Sequence, residues 1–115
     1  VIGSIGIEEI RISEREDAFS RYLGKEIGYV LSKPYWGQGI MTEAVEEVIR
    51  YCFYDLGLDY LYCGHFEENQ ASKRVIEKTG FVYLKTVDFQ DQRGIQHKTL
   101  LYYQWNPLRR RPAGY

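Results

Sequence analysis

The chain has 115 residues, is 44% hydrophobic and carries a formal net charge of -1, which describes one soluble domain with room for one core. With 15 Lys and Arg against 16 Asp and Glu, no net field draws it to nucleic acid or to an anionic membrane. No secretory signal or bilayer-length apolar run is legible, and Cys52 and Cys63 lack metal-ligand spacing, so they read as buried thiols in a reducing, cytoplasmic setting with no metal implied.

Residues 1–7 alternate branched apolar residues with small ones and predict a strand. Residues 8–25 are polar and mixed; Ser13 to Asp17 form a solvated turn, while Phe19, Tyr22 and Leu23 are placed to tuck against a sheet. Glu26 to Leu31 predict a strand that stops at Ser32-Lys33-Pro34. A glycine-punctuated turn, Tyr35 to Gly39, then runs into a helix over 42–56. Its apolar residues Val45, Val48, Ile49, Cys52, Phe53 and Leu56 have helical spacing, Thr42 and Glu43 open it and Gly57 ends it. Residues 60–66 predict a second strong strand, and Asn69 caps a shorter helix, 70–79, closed by Gly80. Strands over 81–88 and 98–105 flank the polar turn Gln90 to Gly94 and should pair as a hairpin. Arg109-Arg110-Arg111 fall in a Pro- and Gly-containing tail, so residues 1–107 are expected to form the domain and 108–115 to be disordered.

A strand, helix, strand crossover of this length makes the strands at 26–31 and 60–66 parallel, which places the chain in the α/β class. The glycine turn leaves the C-terminal end of the first of them, where open α/β sheets bind their ligands. The first turn of a helix has unpaired N–H groups, and glycines let a phosphate approach them. The plainer reading, a tight connection with no ligand, stands beside it.

Two linked motifs sharpen this choice. Gly28-Tyr29 through Trp36-Gly37-Gln38-Gly39-Ile40-Met41-Thr42-Glu43-Ala44, followed by Asn69 through Gly80-Phe81, resemble the GNAT superfamily of N-acetyltransferases and within it the RimJ/RimL-like subgroup. The resemblance implies a mixed sheet whose central parallel pair splays at the cofactor site, with helices on both faces. It implies acetyl-CoA as co-substrate, its pyrophosphate held by the amides of Gln38, Gly39, Ile40, Met41 and Thr42 beside Trp36 and Gly37. The pantetheine arm would pair with Tyr29, Val30 and Leu31, and Asn69, Ser72 and Lys73 would complete the site. An enzyme of this kind moves acetyl to a primary amine, on a protein N-terminus or a small molecule. The catalytic candidates are Ser72, Glu26 and Asn69. Ile76 stands where many members carry an acidic tyrosine, which leaves the Ser72 hydroxyl to assist the departing thiolate. Glu26 is the first candidate general base and His65 the second. Plainer roles compete for each: helix cap for Asn69, first-turn hydroxyl for Ser72, solvated strand end for Glu26. Cys63 carries no sign of activation as a nucleophile.

Two departures from the family pattern stand out. Met41 replaces the Gly or Ala that usually ends the glycine motif, which is expected to crowd the phosphates. The N-terminal strand and pair of helices that build much of the amine-side wall have no counterpart in this sequence, so an incomplete acceptor site and a sheet edge covered by a second copy, as a homodimer, are expected. The rival readings are a non-catalytic acyl-CoA-binding or interaction module, and a nucleotide-binding domain, which would lack the Lys-Ser/Thr ending of a P-loop.

Overall fold

Strand β1 (Gly3–Glu8) pairs antiparallel with β2 (Gly24–Leu31), from Gly3 opposite Leu31 to Glu8 opposite Glu26, in this computed structural model, which describes residues 3–11, 14–37 and 39–115. The expectations placed on Val1, Ile2, Ser13 and Gln38 fall outside these residues. With β3 (Tyr60–Phe66), β4 (Val82–Gln90) and β5 (Gln96–Trp105) they form one sheet of order β1-β2-β3-β5-β4. Among the described residues only β2 and β3 run parallel, as the crossover requires; β4 and β5 make the expected antiparallel hairpin, and each runs longer than expected.

The crossover helix α1 (Ile40–Arg50) starts two residues earlier than its spacing predicted. Gly39, at φ 75°, supplies a left-handed N-cap that a β-carbon would disfavour, so the chain turns at once from loop to helix. At its far end the helix widens into a π-turn over Tyr51–Asp55, where Leu56 N–H reaches back to the Tyr51 carbonyl at 3.0 Å. The wider turn buries Cys52 and Phe53 side by side and rotates Leu56 out to 45% exposure, which corrects its expected core position. The second helix, α2 (Gln70–Lys78), follows β3 as expected and is closed by Gly80 at φ 95°.

Alternation along β3 sorts two cores. Leu61 and Cys63 face α1 and α2, joining Ile27, Met41, Val45, Ile49, Phe53 and Ile76. Tyr60 and Tyr62 face the other way, onto Phe19, Ile10 and Trp105. Helices therefore cover both faces unequally: two α-helices on one, and a short 3-10 turn, Asp17–Phe19, on the other. Phe19 and Tyr22 tuck in as expected. Leu23 does not: its side chain is 55% exposed, and its contribution is a backbone clasp, its N–H on Asp59 Oδ2 and its carbonyl accepting from Asp59 N–H.

Tyr115 folds back so that its ring lies 4.7 Å from Phe19 and 5.7 Å from Tyr103, while Arg109 pairs with Asp59 at 3.3 Å. An aromatic surface on the thinly covered sheet face gives the terminal tyrosine something to bury, which composition alone could not reveal.

Candidate active site

Pairing between β2 and β3 runs from Gly24 opposite Tyr60 to Ile27 opposite Cys63 and then ends, although both strands continue. Beyond Ile27 the strands diverge, and the opening lies beside a cavity of about 580 Å³. That volume falls within the range typical of small-molecule sites. Three walls meet there: Tyr29 and Val30 from β2, Tyr35 to Thr42 from the glycine turn and the head of α1 with Gln38 left aside, and one flank of α2.

Gly37 and Gly39 both hold positive φ, 77° and 75°, and a β-carbon on either would meet nothing within 4 Å. The glycines are there for conformation, and the space beside them is open. Gly39 has no side chain with which to cap α1, and the first-turn N–H groups of Ile40, Met41 and Thr42, residues that line the cavity, have no acceptor within the helix. Such a terminus favours negative charge. The Met41 side chain is buried in the helix-side core, so it does not crowd the turn, contrary to expectation.

On α2, Asn69 Oδ1 accepts the Ser72 N–H at 3.0 Å and caps the helix. The Ser72 hydroxyl donates to Tyr29 Oη at 2.8 Å, and Tyr29 in turn donates to the Ser72 carbonyl at 3.0 Å. These two bonds tie β2 to α2 across the opening. Burial drives the Tyr29 phenol above its ordinary range, against a smaller lowering by the Ser72 hydrogen bond.

Most residues expected from the sequence converge here: Tyr29, Val30, Trp36, Gly37, Gly39, Ile40, Met41, Thr42, Asn69 and Ser72 all line the cavity. Leu31 ends β2, and its side chain lies outside the described residues; Lys73, whose N–H bonds the Asn69 carbonyl at 3.2 Å, is not among the lining residues. Sequence reasoning missed Arg74 and Lys78, two cations four residues apart on the cavity flank of α2. They read as the solvated face of an amphipathic helix, and only the position of α2 against the glycine turn distinguishes them.

Glu26 is not in the cavity. It stands one residue before Ile27, so its side chain emerges on the opposite face of the sheet. Burial, reinforced by Glu14 and Glu8 and opposed by Arg11, pushes its carboxyl up to about 7. His65 is buried with both ring nitrogens engaged, Nδ1 with the Phe66 carbonyl at 2.7 Å and Nε2 with Tyr102 Oη at 3.1 Å, and it does not line the cavity. Cys63 is a silent thiol, pushed up to about 12 chiefly by burial. Among the described residues no group of three or more His, Cys, Asp or Glu could hold a metal ion, and no helix is long and apolar enough to cross a membrane.

A family model for the acetyltransferase (GNAT) domain matches residues 1–82. The "Probable N-acetyltransferase YjcK" of Bacillus subtilis is 40% identical over 81 residues, which are 70% of this chain and 41% of that protein, so the chain spans less than half the length of this relative. Among solved structures, the ribosomal-protein-S5-alanine acetyltransferase from Vibrio fischeri superposes with a TM-score of 0.77 at 24% identity, over 93% of this chain and 55% of that one. The microcin C7 self-immunity acetyltransferase MccE, solved with acetyl-CoA and AMP, superposes with a TM-score of 0.64 at 21% identity, over 71% of this chain and 46% of that one. At these identities the structural likenesses speak for the fold.

Proposed function

Because this chain belongs to the GNAT acetyltransferases, we propose that it binds acetyl-CoA in the cavity between β2, α1 and α2 and transfers the acetyl group to a primary amine, of a protein N-terminus or a small molecule. The observation that carries the reading is the head of α1, uncapped by any side chain among the described residues and opening with two positive-φ glycines onto a cavity beside the strand opening. Phosphates suit the helix N-terminus, and an amide-rich arm suits the free edge of β2.

Transfer then needs no enzyme-bound acyl group. The neutral amine nitrogen attacks the thioester carbonyl, the new C–N bond forms, the C–S bond breaks and its electron pair leaves on sulfur. The hydroxyl pair at the head of α2 supplies hydrogen bonding for that developing charge. The proton shed by the amine passes to Glu26, directly or through water, from the opposite face of the sheet; a carboxyl near 7 is well matched to that task. The two buried free thiols fit a reducing cytoplasm, and the β1 edge of the sheet offers a surface for a second copy.

Calorimetric titration with acetyl-CoA, with ATP as control, tests the site, and thiol release across an amine panel tests the chemistry. Micromolar acetyl-CoA binding, no ATP response and amine-dependent release are expected. Failure to bind acetyl-CoA would overturn the reading. Binding without release would favour a non-catalytic acyl-CoA module, a reading supported by the position of Glu26 outside the cavity.

A further inference from the structure

The hydroxyl pair at the head of α2 raises a question of which O–H faces the cavity chemistry. Ser72 has one hydroxyl hydrogen, and it is committed to Tyr29 Oη at 2.8 Å. To reach a sulfur in the cavity it would have to abandon the phenol and leave Tyr29 Oη without its donor. The Tyr29 hydrogen is placed differently. It lies on the Ser72 carbonyl at 3.0 Å, an acceptor inside α2 that the regular helix ladder already supplies with the N–H four residues on. Turning the phenol O–H away from that carbonyl orphans nothing. It needs rotation about a single C–O bond, while the Ser72 O–H keeps its hold on Oη. A donor that is itself accepting a hydrogen bond is polarised and strengthened. Tyr29 also stands two residues beyond Ile27, in the opening itself, and lines the cavity.

We infer that Tyr29, through its phenol, is the residue that hydrogen-bonds the departing sulfur, and that Ser72 is the positioning residue that orients and polarises it. The inference rests on the acetyl-transfer reading and refines it. As the C–S bond breaks, its electron pair localises on sulfur and Tyr29 Oη–H donates to it. The phenol keeps its proton, and the free thiol forms when the thiolate takes one from water. Burial of the phenol is consistent with this division, since it keeps Tyr29 protonated, with a hydrogen to give, across the working pH range.

The test follows the thiol of bound CoA rather than turnover, so it does not depend on knowing the amine. CoA labelled with ¹³C at the carbon next to sulfur is titrated by NMR on the wild-type chain, Tyr29→Phe and Ser72→Ala. A hydrogen bond to a charged group is worth enough to lower the bound thiol by about one pH unit relative to free CoA. In Tyr29→Phe that drop disappears; in Ser72→Ala at least half of it survives, because the donor remains and only its polarisation is lost. Replacing Tyr29 by 3-fluorotyrosine, a more acidic donor of nearly the same shape, deepens the drop and covers the case in which Tyr29→Phe misfolds. A drop abolished by Ser72→Ala and kept by Tyr29→Phe would make Ser72 the donor and overturn the inference. Wild-type CoA that binds with an unshifted thiol overturns it while leaving the acetyl-CoA site intact. A ¹³C resonance that never responds to wild-type protein overturns both.

Discussion

Ile27 and Cys63 are the last residues at which the two parallel strands face each other in register; from Gly28 onward the strand pairing of β2 is with β1, through to Leu31 opposite Gly3. The amides of 28–31 that point away from β1 are therefore open to an incoming strand-like ligand. Acetyl-CoA should slow hydrogen exchange in a peptide covering 28–31 by roughly tenfold or more, while exchange in β4 stays unchanged. Equal exchange with and without the ligand would place the pantetheine arm elsewhere.

If Glu26 is the proposed base, it links turnover and stability with opposite signs. Its carboxyl is raised from 4.5 to about 7, by burial first and by Glu14 and Glu8 after it, so the folded state binds this proton more tightly than the unfolded chain. Native stability accordingly falls as pH rises through that window, and the penalty is complete above about 7. Glu26→Gln should stabilise the fold at pH 8, by roughly 1–3 kcal/mol, with no gain near pH 4.5. The same variant should lower amine acetylation about 10²-fold and flatten the rise of rate with pH around neutrality. Melting curves at the two pH values and a pH–rate profile separate the two effects. A variant that is stabilised yet fully active would remove Glu26 from the chemistry.

Arg74 and Lys78 form the cationic flank of the cavity, with Arg74 Nε leaning on the Gln70 carbonyl at 3.4 Å. If they hold phosphates, Arg74→Ala and Lys78→Ala should each weaken acetyl-CoA binding by roughly 3- to 10-fold at low salt. The differences from wild type should shrink in high salt, where screening removes what the charges contribute. Titrations at two ionic strengths read this directly, and salt-independent losses would point to packing instead.

Gly24 tests the opposite face of the sheet. A β-carbon there would sit 2.3 Å from Cζ of Tyr60, whose ring is stacked on Trp105 at 5.6 Å and tilted against Phe19 at 4.8 Å. The ring cannot yield without disturbing that whole aromatic layer. Gly24→Ala should destabilise the protein by roughly 1–3 kcal/mol in denaturant unfolding. Acetyl-CoA affinity of the folded fraction should be unaltered, because Tyr60 faces away from the cavity.

Where a local signal existed, the sequence was a good guide. The glycine turn, the Asn69 cap, the alternation in β3 and the hairpin each depend on a few adjacent residues, and each formed. The misreadings are contacts between distant segments. Tyr29 meets Ser72 across 43 positions, and nothing in the strand pattern around Tyr29 marks its hydroxyl as half of a pair. Arg74 and Lys78 have the spacing of any solvated helix face. Tyr115 meets Phe19 and Tyr103, contacts that no neighbouring residue in the sequence announces. The π-turn is a subtler case: the spacing of apolar residues over 42–56 suits an unbroken α-helix, and only packing against the sheet shows that one turn widened and carried Leu56 outward.

At Met41 one residue serves two masters through different atoms. Its side chain belongs to the interior beside Val45 and Ile49, while its main chain belongs to the mouth of the cavity. A side chain of similar bulk can therefore stand there without altering the proposed anion-binding surface, because every amino acid except proline presents the same N–H. Under the proposed reading, repacking the interior leaves the ligand-facing amides in place, and the conformational demand at this corner falls on Gly37 and Gly39.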